Sequence, residues 1–334
     1  MTSLDIYGYR VEIRSTASGP LENLADDFAF FRSDGGPGAC LIELLEEDPP
    51  YDTVPTGQAT VYTPRNVSYK NETCTFIDYS GRGLAIHDRS SGNFRVFSRD
   101  LDLLYEAAYL FLLSQCGEAL DARGMHRVHA LCVSVDDCAA LVLLPMGGGK
   151  STLGSQLLSI PEISILSDDS PLIDRKGDVH AFPLRLGLLP GSEGAVPASQ
   201  LRRINRMEFG PKLLVNYRHF ADRVRPTAKP CLVFLGARTL GSACEIRPAG
   251  KLAALRAMLS NCVVGLGLFQ GMEFVFQRGL GAVFGKAGVA WARLRASRRL
   301  LARSQTYHLL LGRDTQKNAR VVFEFIQAAA KKAP

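Results

Sequence analysis

A glycine-rich stretch followed by a lysine and two hydroxyl residues is the part of this sequence best suited to chemistry. It consists of Met146, Gly147, Gly148, Gly149, Lys150, Ser151 and Thr152. Backbone N–H groups of such a loop point at phosphate oxygens, the lysine reaches the β- and γ-phosphates, and the first hydroxyl binds magnesium. The stretch therefore predicts a site for ATP and Mg²⁺, with Ser151 as a metal ligand.

The loop departs from the pattern G-x-x-x-x-G-K-[ST] at one position, because Leu144 stands where the first glycine is expected. Gly147 and Gly148 could supply the positive φ angles and the close backbone approach that this glycine normally gives. The alternative is a glycine-rich turn that happens to precede a lysine. An apolar, strand-like run before the loop and a helix-like run after it favour the nucleotide site.

Two adjacent aspartates, Asp168 and Asp169, follow a short apolar run that is predicted to be a buried strand. Carboxylates at the end of a strand beside a phosphate loop can bind magnesium, and one of them can accept the proton of an attacking hydroxyl. The alternative is an Asp-Asp turn before Pro171, which is a common loop composition. The nearby glycine loop favours the functional interpretation.

The order of these residues resembles the HPr kinase/phosphorylase family and its related serine kinases, whose core is similar to that of phosphoenolpyruvate carboxykinase. His129-Ala130 precedes Lys150 by 21 residues, Gly149-Lys150-Ser151 lies in the loop, and Asp168-Asp169 follows. The resemblance covers residues 126–190. Ala130, Leu144 and Thr152 differ from the family pattern, which indicates a relative of the sugar-regulating members. The family's C-terminal signature for HPr recognition and phosphorolysis is not matched.

The resemblance implies a fold and a set of roles. The expected fold is α/β, an HPr kinase-like P-loop core with a mostly parallel sheet. Asp168 is expected to be the base, whereas Asp169 and Ser151 are expected to bind the metal. His129 and Arg185 are expected to balance charge on the transferring phosphoryl group.

The function expected from these residues is that of an ATP-dependent kinase that transfers the γ-phosphate to a hydroxyl, most simply a serine of a peptide or protein. One alternative is a kinase for a small metabolite such as free serine, because one fold can serve both. Another is a nucleotide-gated regulatory protein without turnover, which Leu144 favours slightly. The complete set of Lys150, Ser151, Asp168 and Asp169 favours an enzyme.

Composition bounds the class of protein. The 334 residues are 46% hydrophobic, which is enough for a sizeable core. The eight cysteines form no C-x-x-C pair, which is typical of buried thiols in a reducing compartment, so a cytoplasmic location is expected. No uncharged apolar run reaches about 18 residues, so no membrane span is expected.

Charge is unevenly distributed along the chain. Residues 1–120 hold 9 Lys and Arg against 18 Asp and Glu, whereas residues 286–334 hold 11 against 2. A basic segment can bind nucleic acid or an anionic membrane, or it can pair with acidic groups of its own chain or of a second subunit. No aromatic residue lies between Arg293 and Arg303, which argues against nucleic acid and leaves a homo-oligomer open.

The elements that position these residues suggest two domains. Residues 1–120 are predicted to be a β-rich domain, a candidate for substrate docking, with a helix from Asp100 to Leu120 covering short strands. Its predicted strands are 4–14, Ala59–Tyr62, Cys74–Asp78, Gly83–His87 and Phe94–Ser98. Residues 121–334 are predicted to be the P-loop domain, where strands alternate with helices. A basic stretch at 190–230 could close over the phosphates.

Overall fold

The computed structural model describes residues 1–36, 40–55, 57–145, 147–188, 196–206, 210–263 and 281–332. They form two compact units. The first unit contains residues 1–120 with described residues among 203–212 and 281–283, and the second contains the remainder. None of the helices in these ranges combines the length and the apolar character that crossing a membrane requires.

The first unit is built on an eight-stranded sheet with the order β1-β2-β3-β8-β7-β6-β5-β4. Its strands are β1 (Thr2–Ile6), β2 (Tyr9–Ser15), β3 (Cys40–Leu45), β4 (Ala59–Tyr62), β5 (Val67–Lys70), β6 (Cys74–Asp78), β7 (Leu84–Asp88) and β8 (Phe94–Phe97). Only the pairs β2–β3 and β3–β8 are parallel among these described strands. The other neighbours are antiparallel.

The run 4–14, predicted as one strand, is a hairpin. Tyr7 and Gly8 both have positive φ angles, 51° and 87°, and the Gly8 N–H donates to the Asp5 side chain. Two consecutive residues of this kind make a turn whose twist matches antiparallel strands. The prediction was wrong here because an unbroken alternation hid a two-residue turn.

Two helices of the first unit lie at α1 (Ser18–Asp27) and α2 (Leu101–Arg123). The Asp100 carboxylate caps α2 by accepting from the Leu103 N–H at 3.1 Å. The Phe111 ring of α2 stacks on Phe94 of β8 at a centroid distance of 4.0 Å. Helix α2 therefore covers one face of the sheet through aromatic packing.

The second unit contains a nine-stranded sheet whose main path runs β12-β10-β11-β18-β14-β13-β9, with β20 beside β18 and β19 beside β20. Its strands are β9 (His126–Arg127), β10 (Leu131–Val135), β11 (Cys138–Leu143), β12 (Ser164–Ser167), β13 (Leu172–Ile173), β14 (Val179–His180), β18 (Thr227–Arg238), β19 (Glu245–Pro248) and β20 (Gln305–Leu311). A smaller sheet contains β15 (Leu186–Leu188), β16 (Leu201–Arg206) and β17 (Gly210–Val215).

The expected mostly parallel P-loop core is contradicted. Among the described strands of the large sheet, only β11–β18 and β18–β20 pair in parallel, and the sheets are mixed and mostly antiparallel. The cause is local, because Asp136 and Asp137 form a two-residue turn that folds β11 back on β10. A two-residue hairpin can only join antiparallel strands, whereas the sequence was interpreted as strand–helix alternation.

The remaining helices of the described chain are α3 (Lys150–Leu158), α4 (Lys251–Met258), α5 (Gly281–Arg303) and α6 (Thr315–Ala330). Helices α3 and α6 pack on each other, and α6 also contacts β10, β11 and β18. Their apolar faces close a core around β11 and β18 that includes Leu153, Leu232 and Val322. This core holds the first turn of α3 in place at the end of β11.

Candidate active site

The antiparallel pairing of β10 with β11 and with β12 brings three strand ends to one place. Strand β10 pairs with β12 so that Cys132 lies opposite Ser167, and the Ala130 N–H donates to the Asp169 carbonyl at 3.3 Å. The head of β10 therefore meets the tail of β12. Strand β10 also pairs with β11, so its head lies beside the tail of β11, where the glycine loop begins. His129, the two aspartates and the loop become neighbours for this reason.

The glycine loop has a backbone that depends on its glycines. Gly147 and Gly149 have φ angles of 73° and 98°, in the left-handed region that favours glycine. A side chain on Gly148 would place Cβ 2.9 Å from the Pro145 carbonyl oxygen, which is too close for any residue with a Cβ. Met146, an expected loop residue, lies outside the described residues. Each described loop glycine is therefore required by the backbone.

Leu144, the residue at the position of the expected glycine, is a core side chain. It is 1% exposed and packs over Gly236 of β18, where a Cβ would approach the Leu144 side chain to 2.5 Å. Leu144 stands where the loop pattern has a glycine, and Gly236 on the neighbouring strand leaves the space that the Leu144 side chain fills. The backbone of Leu144 remains available to the site, because its carbonyl points at the lysine.

Lys150 begins α3 and is 7% exposed. Its Nζ lies 2.8 Å from the Leu144 carbonyl oxygen and 2.7 Å from Nε2 of His129. An ammonium can only donate, so Nε2 of His129 is the acceptor and the ring proton of a neutral His129 belongs on Nδ1. The loop and the histidine together hold the amine at the mouth of the glycine loop.

His129 connects Lys150 to Asp169. Its Nδ1 lies 3.1 Å from Oδ1 of Asp169, although the angle does not make an aligned hydrogen bond. The His129 side chain is 6% exposed, whereas that of Asp169 is 50% exposed. The His129 N–H donates to the Asn261 carbonyl at 3.0 Å, which fixes the backbone before β10. The Asp169 carboxylate therefore lies beside the buried imidazole of His129 and is open to solvent.

Ser151 and Asp168 form the second pair. The Ser151 hydroxyl donates to Oδ2 of Asp168 at 2.9 Å. Helix α3 packs closely on β10 at Gly154, where a Cβ would lie 3.1 Å from the Leu131 side chain and, at an ordinary contact distance of 3.6 Å, beside Oδ1 of Asp168. The sequence paired Ser151 with Asp169 as metal ligands, whereas the structure brings Ser151 to Asp168.

The remaining expected residues lie around this centre. Thr152 is half-buried in the first turn of α3. Arg185 is half-buried and directly precedes β15, a strand that contacts α3. The contacts described at the centre join His129 to Lys150 and to Asp169, and Ser151 to Asp168.

The chemistry of these donors fits a magnesium-bound triphosphate. The hydroxyl of Ser151 and the carboxylate of Asp168 are oxygen ligands of the kind Mg²⁺ uses together with phosphate oxygens and water. The described residues contain no cluster of three or more His, Cys, Asp or Glu side chains that could hold a metal ion. A site with one or two protein ligands is the arrangement expected when phosphates supply the others.

No protein-family model matches this chain, and no curated protein matches it significantly.

A buried ionic cluster behind the site was missed in the sequence. Asp121 accepts from Nδ1 of His126 at 2.8 Å and from Nη2 of Arg293 at 2.5 Å. Arg293 also donates to the Cys262 carbonyl at 3.1 Å, next to Asn261, whose carbonyl holds His129. The sequence showed no sign of the ion pair between Asp121 and Arg293, because the two residues are 172 positions apart.

Asp121 makes stability depend on pH. Burial would raise its pKa, but hydrogen bonds from His126 and Arg293 outweigh it and hold the pKa below the ordinary value. A carboxylate whose pKa is lower in the folded than in the unfolded protein stabilises the fold at any pH above its unfolded-state pKa. This stabilisation is lost as the pH falls through the folded-state pKa. The wild type should therefore lose stability below about pH 4. Asp121→Asn should lose about 3–5 kcal/mol at neutral pH, since Arg293 keeps a buried charge, and show a flatter acid dependence.

Urea unfolding at pH 7 and under acid conditions tests this prediction, with exposed Asp222→Asn as the control. Equal acid slopes for Asp121→Asn and the wild type would show that Asp121 gains nothing from its partners.

The basic stretch at 190–230 is partly structural. The Arg223 guanidinium donates to the carbonyls of Leu158, at 3.3 Å, and of Ile160 and Ile163, just after α3. Arg225 and Lys229 both pair with Asp137 in the β10–β11 turn. These three cations satisfy carbonyls or a carboxylate of their own chain.

Proposed function

We propose that this chain is an ATP-dependent kinase that transfers the γ-phosphate of ATP to a hydroxyl group. The observation that carries the proposal is the meeting of Lys150, His129, Ser151, Asp168 and Asp169 at the end of a glycine loop. They come from three separate stretches of the chain. A structural turn would not need a buried lysine, two oxygen donors for a metal and a solvent-facing carboxylate in one place.

The glycine loop and Lys150 would hold the triphosphate. The backbone of Gly147–Gly149 is partly left-handed, a form in which successive N–H groups can line an anion site, and the Gly148 N–H now donates to the Pro145 carbonyl at 2.9 Å. The start of α3 at Lys150 adds the positive end of the helix dipole. The Lys150 amine, now on the Leu144 carbonyl and His129, is within the same loop and would turn to the β- and γ-phosphates.

Ser151 and Asp168 would hold magnesium, and this ion, when bound, neutralises charge on the β- and γ-phosphates. The Ser151 hydroxyl and the Asp168 carboxylate are already neighbours at 2.9 Å. Ser151 lies in the first turn of α3, and Asp168 directly follows β12.

Asp169 would be the base that takes the proton of the acceptor hydroxyl at Oδ1 or Oδ2. Its side chain is half-exposed, so a substrate hydroxyl can reach it, while Asp168 is engaged by Ser151. His129 lies between this carboxylate, 3.1 Å from its Nδ1, and Lys150, 2.7 Å from its Nε2. This assignment reverses the roles that the sequence suggested for the two aspartates.

The proposed acceptor is a serine of a peptide or protein, on the strength of the resemblance over residues 126–190. A free hydroxylated metabolite such as serine stays the second candidate for the same chemistry. All eight cysteines are free thiols, which suits the proposed cytoplasmic location. Nucleic acid is not proposed, because the arginines of α5 with described contacts, Arg293, Arg299 and Arg303, bind Asp121, the Arg175 carbonyl and Asp178 of their own chain.

Magnesium-nucleotide is expected to raise the melting temperature of the wild type, because a ligand that binds only the folded state stabilises it by about 2.7 kcal/mol at a hundredfold excess over Kd. Ser151→Ala should lose the magnesium-dependent part of the shift and keep the part due to nucleotide alone. Thermal unfolding with ATP, with and without Mg²⁺, measures both parts.

The matched control is Ser155→Ala, one helical turn further along α3. It should shift like the wild type. Absence of a nucleotide-dependent shift in the wild type would remove the proposed site, and equal shifts for Ser151→Ala and Ser155→Ala would remove Ser151 from the metal.

A further inference from the structure

The carboxyl ends of three parallel strands, β11, β18 and β20, meet at the edge of the large sheet that carries the glycine loop. Leu143, the last residue of β11, lies opposite Leu235 of β18, and Arg238, the last residue of β18, lies opposite Leu311, the last residue of β20. From Leu235 to Arg238, β18 continues about 10 Å beyond the end of β11. The ends of β18 and β20 are therefore part of the same edge as the glycine loop.

The strand order sets the direction in which ATP would lie across this edge. The path runs β12-β10-β11-β18, with β20 beside β18. Asp168 and Asp169 follow β12 on one side of β11, whereas β18 lies on the other side, about 4.8 Å from β11. The γ-phosphate has to meet the acceptor hydroxyl at Asp169. The nucleoside, at the other end of the triphosphate, therefore extends from the glycine loop toward the ends of β18 and β20.

Two arginines and a leucine are exposed at these strand ends. Arg238 ends β18, Leu240 lies in the loop that follows it, and Arg313 comes two residues after β20. The Leu240 side chain is 93% exposed. Within the described chain, neither guanidinium has a hydrogen-bond or ion-pair partner, whereas those of Arg223 and Arg293 in the same unit bind carbonyls or a carboxylate. Two unengaged guanidinium groups and an apolar side chain therefore lie where the nucleoside is expected.

The backbone beneath these side chains is held in place by hydrogen bonds. The Thr239 N–H donates to the Leu311 carbonyl at 2.9 Å, and the Arg313 N–H donates to the Gly241 carbonyl at 2.9 Å. The chain segments approach so closely that a Cβ on Gly312 would lie 2.5 Å from a carbonyl oxygen of the facing loop. These contacts use backbone groups, so the loop does not need the exposed side chains to keep its position.

We propose that the adenine ring of ATP binds on the surface formed by Arg238, Leu240 and Arg313, with the Arg238 guanidinium stacked on the ring. This inference rests on the proposed kinase function, because the position of the γ-phosphate sets the direction of the nucleotide. A guanidinium is planar and weakly hydrated, so it stacks on an aromatic face in a way that a lysine ammonium does not. Leu240 adds an apolar contact that is otherwise exposed to water. The surface therefore adds affinity for the nucleoside and none for the phosphates.

Calorimetric binding of two probes with Mg²⁺ separates the adenine ring from the phosphates. The probes are a non-hydrolysable ATP analogue and inorganic tripolyphosphate. Arg238→Lys keeps the charge and removes the planar group, so Kd for the analogue should rise about five- to tenfold while Kd for tripolyphosphate stays within about twofold. Leu240→Ser should likewise weaken only the analogue. Arg320→Lys, at an exposed arginine of α6, is the matched control and should bind both probes like the wild type.

Photo-crosslinking is the second arm and needs no variant. Wild-type protein irradiated with 2-azido-ATP and Mg²⁺ should carry the label within residues 237–243 or 311–314, as located by digestion and mass spectrometry. An excess of unlabelled ATP should prevent the labelling. A label located elsewhere in the chain would overturn the proposed adenine surface.

The two probes also separate this inference from the proposed function. Lys150→Met should weaken the analogue and tripolyphosphate alike, because both carry the phosphates. If it does, and Arg238→Lys binds both probes like the wild type or weakens both equally, the nucleotide site stands and the adenine surface is refuted. Binding of neither probe to the wild type would remove the proposed nucleotide site and the adenine surface with it.

Discussion

Replacement of Lys150 by methionine is expected to lower phosphoryl transfer by at least about 10²-fold, since removal of one charge-stabilising donor from a transfer site costs this much. Methionine keeps most of the apolar stem of a side chain that is 7% exposed, so the fold should persist. Transfer is measured with γ-labelled ATP and Mg²⁺ across serine peptides and free serine, and melting is measured on the same samples.

Lys176→Met is the matched control, because Lys176 is an exposed lysine in the β13–β14 hairpin of the same unit. It should transfer phosphate like the wild type. A folded Lys150→Met protein with full activity would be incompatible with a role for the lysine at the phosphates.

The second large effect is expected at Asp169. Asp169→Asn removes the proposed base while keeping its shape, so turnover should fall by about 10²–10⁴-fold and nucleotide affinity should change little. Asp168→Asn should behave differently, because it removes a carboxylate from the pair with Ser151 and should weaken Mg²⁺-dependent binding as well as turnover. Nucleotide titration and single-turnover transfer on both variants measure the two quantities.

The two variants are expected to differ in Mg²⁺-dependent nucleotide binding, and this difference tests the assignment. Weakened magnesium binding in Asp169→Asn with normal binding in Asp168→Asn would restore the assignment suggested by sequence. Wild-type behaviour in both would mean that the aspartates form only a turn and that the proposed mechanism lacks a base.

The residue types of the candidate site were visible in the sequence, and their pairing was not. Gly149-Lys150-Ser151 and Asp168-Asp169 are local patterns, and local patterns predict a strand end, a loop and a helix start. Which aspartate meets Ser151 depends on the β10–β12 register and on the approach of α3 at Gly154. A register shift of one residue would exchange the two carboxylates.

The sheet topology could not be predicted for a related reason. An apolar run has the same appearance in a parallel and in an antiparallel sheet. The two-residue turn that decides for antiparallel pairing, Asp136-Asp137, lacks the glycine of a strong hairpin signal. The packing of Leu144 on Gly236 joins residues 92 positions apart, and no pattern along the chain shows it. In the first unit, the predicted strands Ala59–Tyr62 and Cys74–Asp78 are confirmed with the same bounds, because turn residues separate these short runs.

The most direct test of the proposed nucleotide site is a crystal structure of the wild type with Mg²⁺ and a non-hydrolysable ATP analogue. We expect the β- and γ-phosphates against the backbone N–H groups of residues 147–151, with the Lys150 Nζ moved onto the phosphates and Mg²⁺ bound by Ser151 and Asp168. Nucleotide bound elsewhere, or none bound at saturating concentration while Lys150 stays on Leu144 and His129, would contradict it.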